Sequence, residues 1–109
     1  MLTRALPCSG GGGGYYPQID TSNVLASGFD DYTATQDCYV GTINDGVYVG
    51  ANSTVYLKDE SNNVVQQLCG YQASGTTWLK FTIFVPKGWS ISFNNTPHYT
   101  GYLYAYGVL

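Results

Sequence analysis

The side chains that could do chemistry are few: one histidine, three cysteines and seven carboxylates in 109 residues. A nucleophile–histidine–acid set would have to run through His98, which stands between Pro97 and Tyr99 in an expected loop. There an imidazole at the surface, or against a ring, is the ordinary outcome. Paired-carboxylate hydrolysis needs two acids facing each other across a groove, whereas Asp30-Asp31 and Asp59-Glu60 are neighbours within expected turns. Asp59, Glu60, Asn62 and Asn63 offer hard oxygen ligands, but at a spacing that reads as a polar hairpin tip. No C-x-x-C occurs, so no zinc set forms around the single histidine. Cys8, Cys38 and Cys69 are odd in number and read as free thiols of a reducing compartment. A Cys38–Cys69 bridge is the less favoured alternative. Asn52-Ser53-Thr54 and Asn94-Asn95-Thr96 fit the glycosylation pattern, yet without a secretory signal they read as loop composition. No catalytic residue, metal or cofactor is expected, and the chain reads as a non-enzyme.

Aromatic residues are a different matter. The 11 tyrosines equal the 4 basic and 7 acidic residues taken together. Tyr102, Tyr104 and Tyr106 alternate with Leu103, Ala105 and Gly107, which puts the three rings on one face of a strand. Such rings give large contact area at small entropic cost and tolerate both water and burial. Any single tyrosine is more simply a cap on a small core, but the set as a whole predicts an interaction surface.

Composition narrows the partners. A chain of 109 residues holds one domain with a single core. Only 10% of residues are charged and 44% are hydrophobic, against a usual charged quarter. Net charge is −3, and the cations Arg4, Lys58, Lys80 and Lys87 make no basic track, so nucleic acid is not an expected partner. No apolar run approaches the roughly twenty residues that span a bilayer, so no membrane is expected either. The stretch Met1–Cys8 is too short for a signal peptide, and Pro7 stands where a lipoprotein has a small residue. Synthesis in a cytoplasm is expected.

Two parts are expected along the chain. Residues 1–16 form an arm with a Gly-rich tether, Ser9 to Gly14, followed by Tyr15 and Tyr16 where a phosphate loop needs Lys and Ser/Thr. Residues 17–109 form the folded domain. No window carries helical apolar spacing, and β-branched and aromatic residues abound. Extended pieces are expected at Tyr32–Thr35, Cys38–Ile43, Val47–Val49, Thr54–Lys58, Val64–Leu68, Thr77–Val85, around Trp89–Phe93 and at Tyr99–Val108. Asn44-Asp45-Gly46, Asp59–Asn63 and Pro86-Lys87-Gly88 are the turns. Val55, Leu57, Leu79, Phe81, Ile83, Val85, Ile91 and Phe93 form the expected core. The fold class is all-β, an antiparallel β-sandwich that is jelly-roll-like, with a Gly-rich N-terminal arm.

The order of these pieces carries a resemblance. Tyr32-Thr33-Ala34, Asp37-Cys38-Tyr39-Val40, Val55-Tyr56-Leu57, Phe84-Val85-Pro86-Lys87-Gly88 and Thr100-Gly101-Tyr102-Leu103-Tyr104 resemble the small β-sandwich heads of bacteriophage tail fibres and capsid fibres of Gram-positive hosts. The closing stretch is similar to the last strand of C1q/TNF-like jelly rolls, which assemble as trimers. The resemblance covers about residues 30–109 and rests on strand and turn patterns. Those heads often carry Asp or Asn after V-P-K-G, where this chain has Trp89. The resemblance implies a virion surface protein made in the bacterial host cytoplasm: a capsid or tail fibre, or a decoration protein. It implies a homotrimer that touches other virion proteins through its N-terminal arm and can meet a host surface glycan. The alternative is a carbohydrate-binding module that stacks rings on sugars. Such a module normally rides on an enzyme, whereas a chain beginning at Met1 is expected to be complete.

Trp78, Phe84, Tyr102, Tyr104 and Tyr106 are the candidate subunit-interface residues. Trp89, His98 and Tyr99, nearer the loops, are the candidates for surface recognition. Leu2, Leu6, Tyr15 and Tyr16 are the candidates for anchoring through the arm.

Overall fold

The computed structural model describes residues 17–109, so Leu2, Leu6, Tyr15 and Tyr16 lie outside the described residues. The strands are β1 (Ile19–Ser27), β2 (Tyr32–Thr33), β3 (Cys38–Thr42), β4 (Val47–Val49), β5 (Ser53–Lys58), β6 (Val64–Tyr71), β7 (Thr77–Leu79), β8 (Thr82–Val85), β9 (Ser90–Phe93) and β10 (Leu103–Val108). They form an all-β antiparallel sandwich. One four-stranded sheet has the order β1-β10-β3-β8, the other β2-β9-β5-β6, and β4 pairs with β7 in a small third sheet.

Pairing is nested: β1 with β10, β2 with β9, β3 with β8, β4 with β7 and β5 with β6. The chain is thus one long antiparallel hairpin whose tip is the turn Asp59–Asn63. That tip is closed by its aspartate. Asp59 Oδ1 accepts the N–H groups of Ser61 and Asn63, both at 2.9 Å, and Asn62 takes φ 68°. Rolling the hairpin brings β10 beside β3 and β9 beside β5, which divides it into two facing sheets.

Period-two alternation decides what lies between them. Cys38, Val40, Val85, Leu103 and Ala105 come from one sheet, Val55, Leu57 and Ile91 from the other, and Val47, Val49 and Leu79 from the small one; all belong to a single buried cluster. Of the side chains expected inside, Val55, Leu57, Leu79, Val85 and Ile91 are buried, while Phe81, Ile83 and Phe93 pack on the cluster with one side in solvent. Burying each such aliphatic chain is worth about 1.5–3 kcal/mol.

Three elements differ from expectation. Thr77–Val85 is two strands, because the chain passes there from the small sheet to a large one. The step at Phe81 is held by Thr42, whose N–H donates to the Phe81 carbonyl at 2.9 Å and whose Oγ1 accepts the Phe81 N–H at 3.2 Å. The last strand starts at Leu103, since Leu103 N–H turns back to Thr100 O at 2.9 Å; Tyr99 keeps only an isolated bridge to Tyr48. β1 was not expected at all. Its Asp20-Thr21-Ser22-Asn23 run shows no alternation, and the strand exists because β10 offers it a ladder, with register breaks around Val24.

Leu103 tests this core most directly. Leu103→Ala should cost about 2–5 kcal/mol in a denaturant titration, and Phe81→Ala clearly less because its ring is partly solvated. Equal losses for the two would contradict the packing described.

Candidate functional site

The outward faces hold the aromatic residues. On the β1-β10-β3-β8 sheet the register runs Val24–Tyr106–Tyr39–Phe84 across all its strands, with Tyr104 in the next row opposite Gly41. Tyr39 meets Phe84 edge-on at 5.4 Å, and Tyr104 stacks on Tyr106 at 5.7 Å with the planes 7° apart. Each ring follows from alternation with the buried Cys38, Val40, Val85, Leu103 and Ala105. Tyr39 also donates to Pro17 O at 2.7 Å, tying the start of the described chain to this face.

A second ring group stands where the strands end. Tyr48 on β4 and Trp78 on β7 are register partners with centroids 4.7 Å apart. Tyr102 and Tyr99 lie 6.0 Å from Trp78 and 5.4 Å from each other, and His98 lies 5.9 Å from Tyr48. Two glycines make room for this. A Cβ on Gly50 would come within 2.9 Å of His98 Nε2, and one on Gly101 would collide with the Tyr99 ring. The tips of both side chains therefore rest against backbone that only glycine leaves open. Trp78 and Tyr99 remain 39% and 47% exposed.

The structure regroups the residues singled out by sequence. Trp78 and Tyr102 join His98 and Tyr99, whereas Phe84, Tyr104 and Tyr106 form the sheet-face group. Trp89 is in neither; it packs partly buried against the core, in the turn where its N–H donates to Pro86 O at 3.0 Å. Tyr39 and Tyr48 were not singled out. Their signal was present, since each is the centre of an apolar triplet, Cys38-Tyr39-Val40 and Val47-Tyr48-Val49, whose outer members are buried.

The loop group and the start of the described chain lie at opposite ends of β10. β10 runs from Leu103, paired with Thr42 beside the loop group, to Val108, paired with Ile19. Leu109 N–H donates to Gln18 O at 2.8 Å, so the first and last described residues sit together at the far end. A strand of this length separates the two ends by about 17–20 Å.

No family model, curated protein or solved structure matches this chain.

The polar residues serve the backbone. Asp31 Oδ1 accepts the Phe93 N–H at 3.0 Å, clipping a loop to β9, and Asp37 Oδ1 accepts the Lys87 N–H at 2.9 Å, clipping a loop to the turn after β8. Asn94 Oδ1 accepts the Thr54 N–H at 2.6 Å, while the side-chain amides of Asn94 and Asn95 donate to Asn52 O. Among the described residues no three His, Cys, Asp or Glu side chains converge.

Cys38 and Cys69 are free thiols. Burial pushes each from the ordinary 9.0 to about 11. A thiol whose folded pKa is raised stabilises the fold in full below the unfolded value, and that contribution is lost as pH climbs through the folded one. In a Cys8→Ser background, stability should therefore fall between about pH 9 and pH 11. The fall should be smaller once Cys38 and Cys69 are both alanine, a difference that cancels tyrosine ionisation. A disulfide reagent near neutral pH should not label Cys38 before unfolding, and should label the partly buried Cys69 more slowly than a denatured chain. Labelling at the rate of a denatured chain would contradict this burial.

Proposed function

We propose that this protein is a bacteriophage virion structural protein: the outward head of a capsid or tail fibre, or a decoration protein. It acts as an assembly and binding domain, not as an enzyme, at the virion surface. The observation that carries the reading is the polarity of the domain. The chain enters at Pro17 beside Leu109, at one end, while the exposed rings of Trp78 and Tyr99 lie at the other. Residues 1–16 then reach toward the particle and contact other virion proteins, and the loop end faces outward. Nested strand pairing supports a jelly-roll winding of the fibre-head kind, in which a long hairpin is rolled into two sheets.

The face of the β1-β10-β3-β8 sheet supports self-association, and the fibre-head resemblance makes the proposed assembly a trimer. Tyr39, Phe84, Tyr104 and Tyr106 are half-buried, with the half-exposed Val24 at the end of their row. A face of this kind drives association, and closed cyclic symmetry keeps association finite. A second reading, a carbohydrate-binding module acting as a monomer, draws on the exposure of Trp78 and Tyr99.

Light scattering on the purified chain separates the two readings: a trimer supports the fibre head, a monomer the module. Tyr104→Ser combined with Phe84→Ser should give monomers that still fold, because both rings lie outside the core. Removing residues 1–14 should leave the melting temperature nearly unchanged and abolish incorporation into particles. A monomeric parent protein, or normal incorporation of the shortened chain, would overturn this function.

A further inference from the structure

The geometry points to a saccharide-binding platform at the loop end, built by Tyr48, Trp78, His98, Tyr99 and Tyr102. It takes a neutral oligosaccharide, with one pyranose ring laid on Trp78 and Tyr99 standing beside it, the two ring planes 77° apart. The inference rests on the reading above that this end faces outward.

Ring arrangement excludes one familiar occupant. An aromatic cage for a quaternary ammonium needs rings around an empty space. Here the centroids are 4.7–6.0 Å apart, so the rings fill the space between themselves and leave an open surface. An open aromatic surface suits a flat ligand with an apolar C–H face, which a pyranose has. The edge of that ligand carries hydroxyls, and the platform meets them with polar tips. Tyr102 brings a phenol oxygen and His98 its Nδ1, while Tyr99 Oη and His98 Nε2 lie against Gly101 and Gly50 and Tyr48 Oη is already paired with Thr76 Oγ1 at 2.7 Å.

Charge settles the class of sugar. No carboxylate or ammonium belongs to the ring group, and among the described residues Lys80 follows Trp78 at the same parity, its stem at Gly46. A phosphate-rich or acidic polymer would find no cluster of cations to hold it. A neutral ligand needs none.

Preorganisation completes the case. Gly50 and Gly101 let His98 and Tyr99 rest on backbone. The loop beneath is tied by His98 N–H to Tyr48 O at 2.8 Å and by Tyr48 N–H to Tyr99 O at 2.9 Å. Rings held this way lose little freedom on binding.

The test uses the full chain with Trp89→Phe, so that Trp78 is the sole indole reporter. Its fluorescence is titrated with hexasaccharides of glucose, galactose, mannose, rhamnose and N-acetylglucosamine, and with poly(glycerol phosphate) for comparison. Light scattering and acrylamide quenching are recorded on the same samples. We expect saturable binding of at least one neutral hexasaccharide at about millimolar Kd, as a shallow platform gives. Tyr99→Ala should weaken it at least about tenfold with oligomer and melting temperature unchanged. Trp78→Ala, followed by calorimetry, should do the same. No saturation by any neutral probe up to about 10 mM with Trp78 still quenchable overturns the saccharide and leaves the outward-facing reading intact. Binding only to poly(glycerol phosphate), or undiminished in both variants, also overturns it. A Trp78 shielded from acrylamide, with Tyr99→Ala breaking the oligomer, overturns both and assigns the rings to a second copy of this chain.

Discussion

Everything in this domain hangs on β10. It lies between β1 and β3, and its residues alternate strictly between two environments. Leu103, Ala105 and Gly107 face inward and are buried, so the last strand closes the sandwich. The small size of Ala105 and Gly107 is part of the fit: Gly107 leaves the space that the Asn23 side chain enters from β1. The intervening Tyr104 and Tyr106 must then point outward. A slip of one residue would bury two phenols and expose Leu103, which fixes the register on energetic grounds. The outward aromatic face is therefore a consequence of closing the core.

Charge is used just as narrowly. With only 10% charged residues, the domain places several of its aspartates as acceptors for backbone N–H groups. Asp59 closes the hairpin tip, while Asp31 and Asp37 tie loops to β9 and to the turn after β8. Hydrogen bonds to a charged acceptor are worth about 1.5–3 kcal/mol when formed. These contacts do the work that longer strands or disulfides do elsewhere, and they leave the ring-bearing surfaces free of carboxylates.

Much of this was legible in the sequence, and unevenly so. Strands whose inner face is apolar, such as β5, β8 and β9, were readable because alternation reports burial directly. β1 was not, since its residues between Asp20 and Asn23 are polar on both faces and its place comes from pairing alone. The break at Phe81 was hidden for a related reason: alternation continues through it while the hydrogen-bonding partner changes from β4 to β3. At the candidate site the individual rings were visible but their grouping was not. Trp78 and Tyr102 share a parity with Phe84 and Tyr104, yet Trp78 stands in the small sheet and Tyr102 in the turn before β10, which brings both to the loop end beside His98 and Tyr99. Trp89 was expected at the start of the strand that holds Ile91 and Phe93, near enough to the loops for recognition and equally suited to the core, and its contacts with the core decide between the two.

On the proposed function, the two ring groups divide one composition between two tasks: self-association on the sheet face and recognition at the loop end. Hydroxyl-radical footprinting of the native full-length protein reads both at once, because each ring reports its own solvent access. Strong protection of Tyr39, Phe84, Tyr104 and Tyr106, beside rapid oxidation of Trp78 and Tyr99, is the result predicted. Oxidation of the sheet-face rings as fast as the loop-end rings would contradict the account.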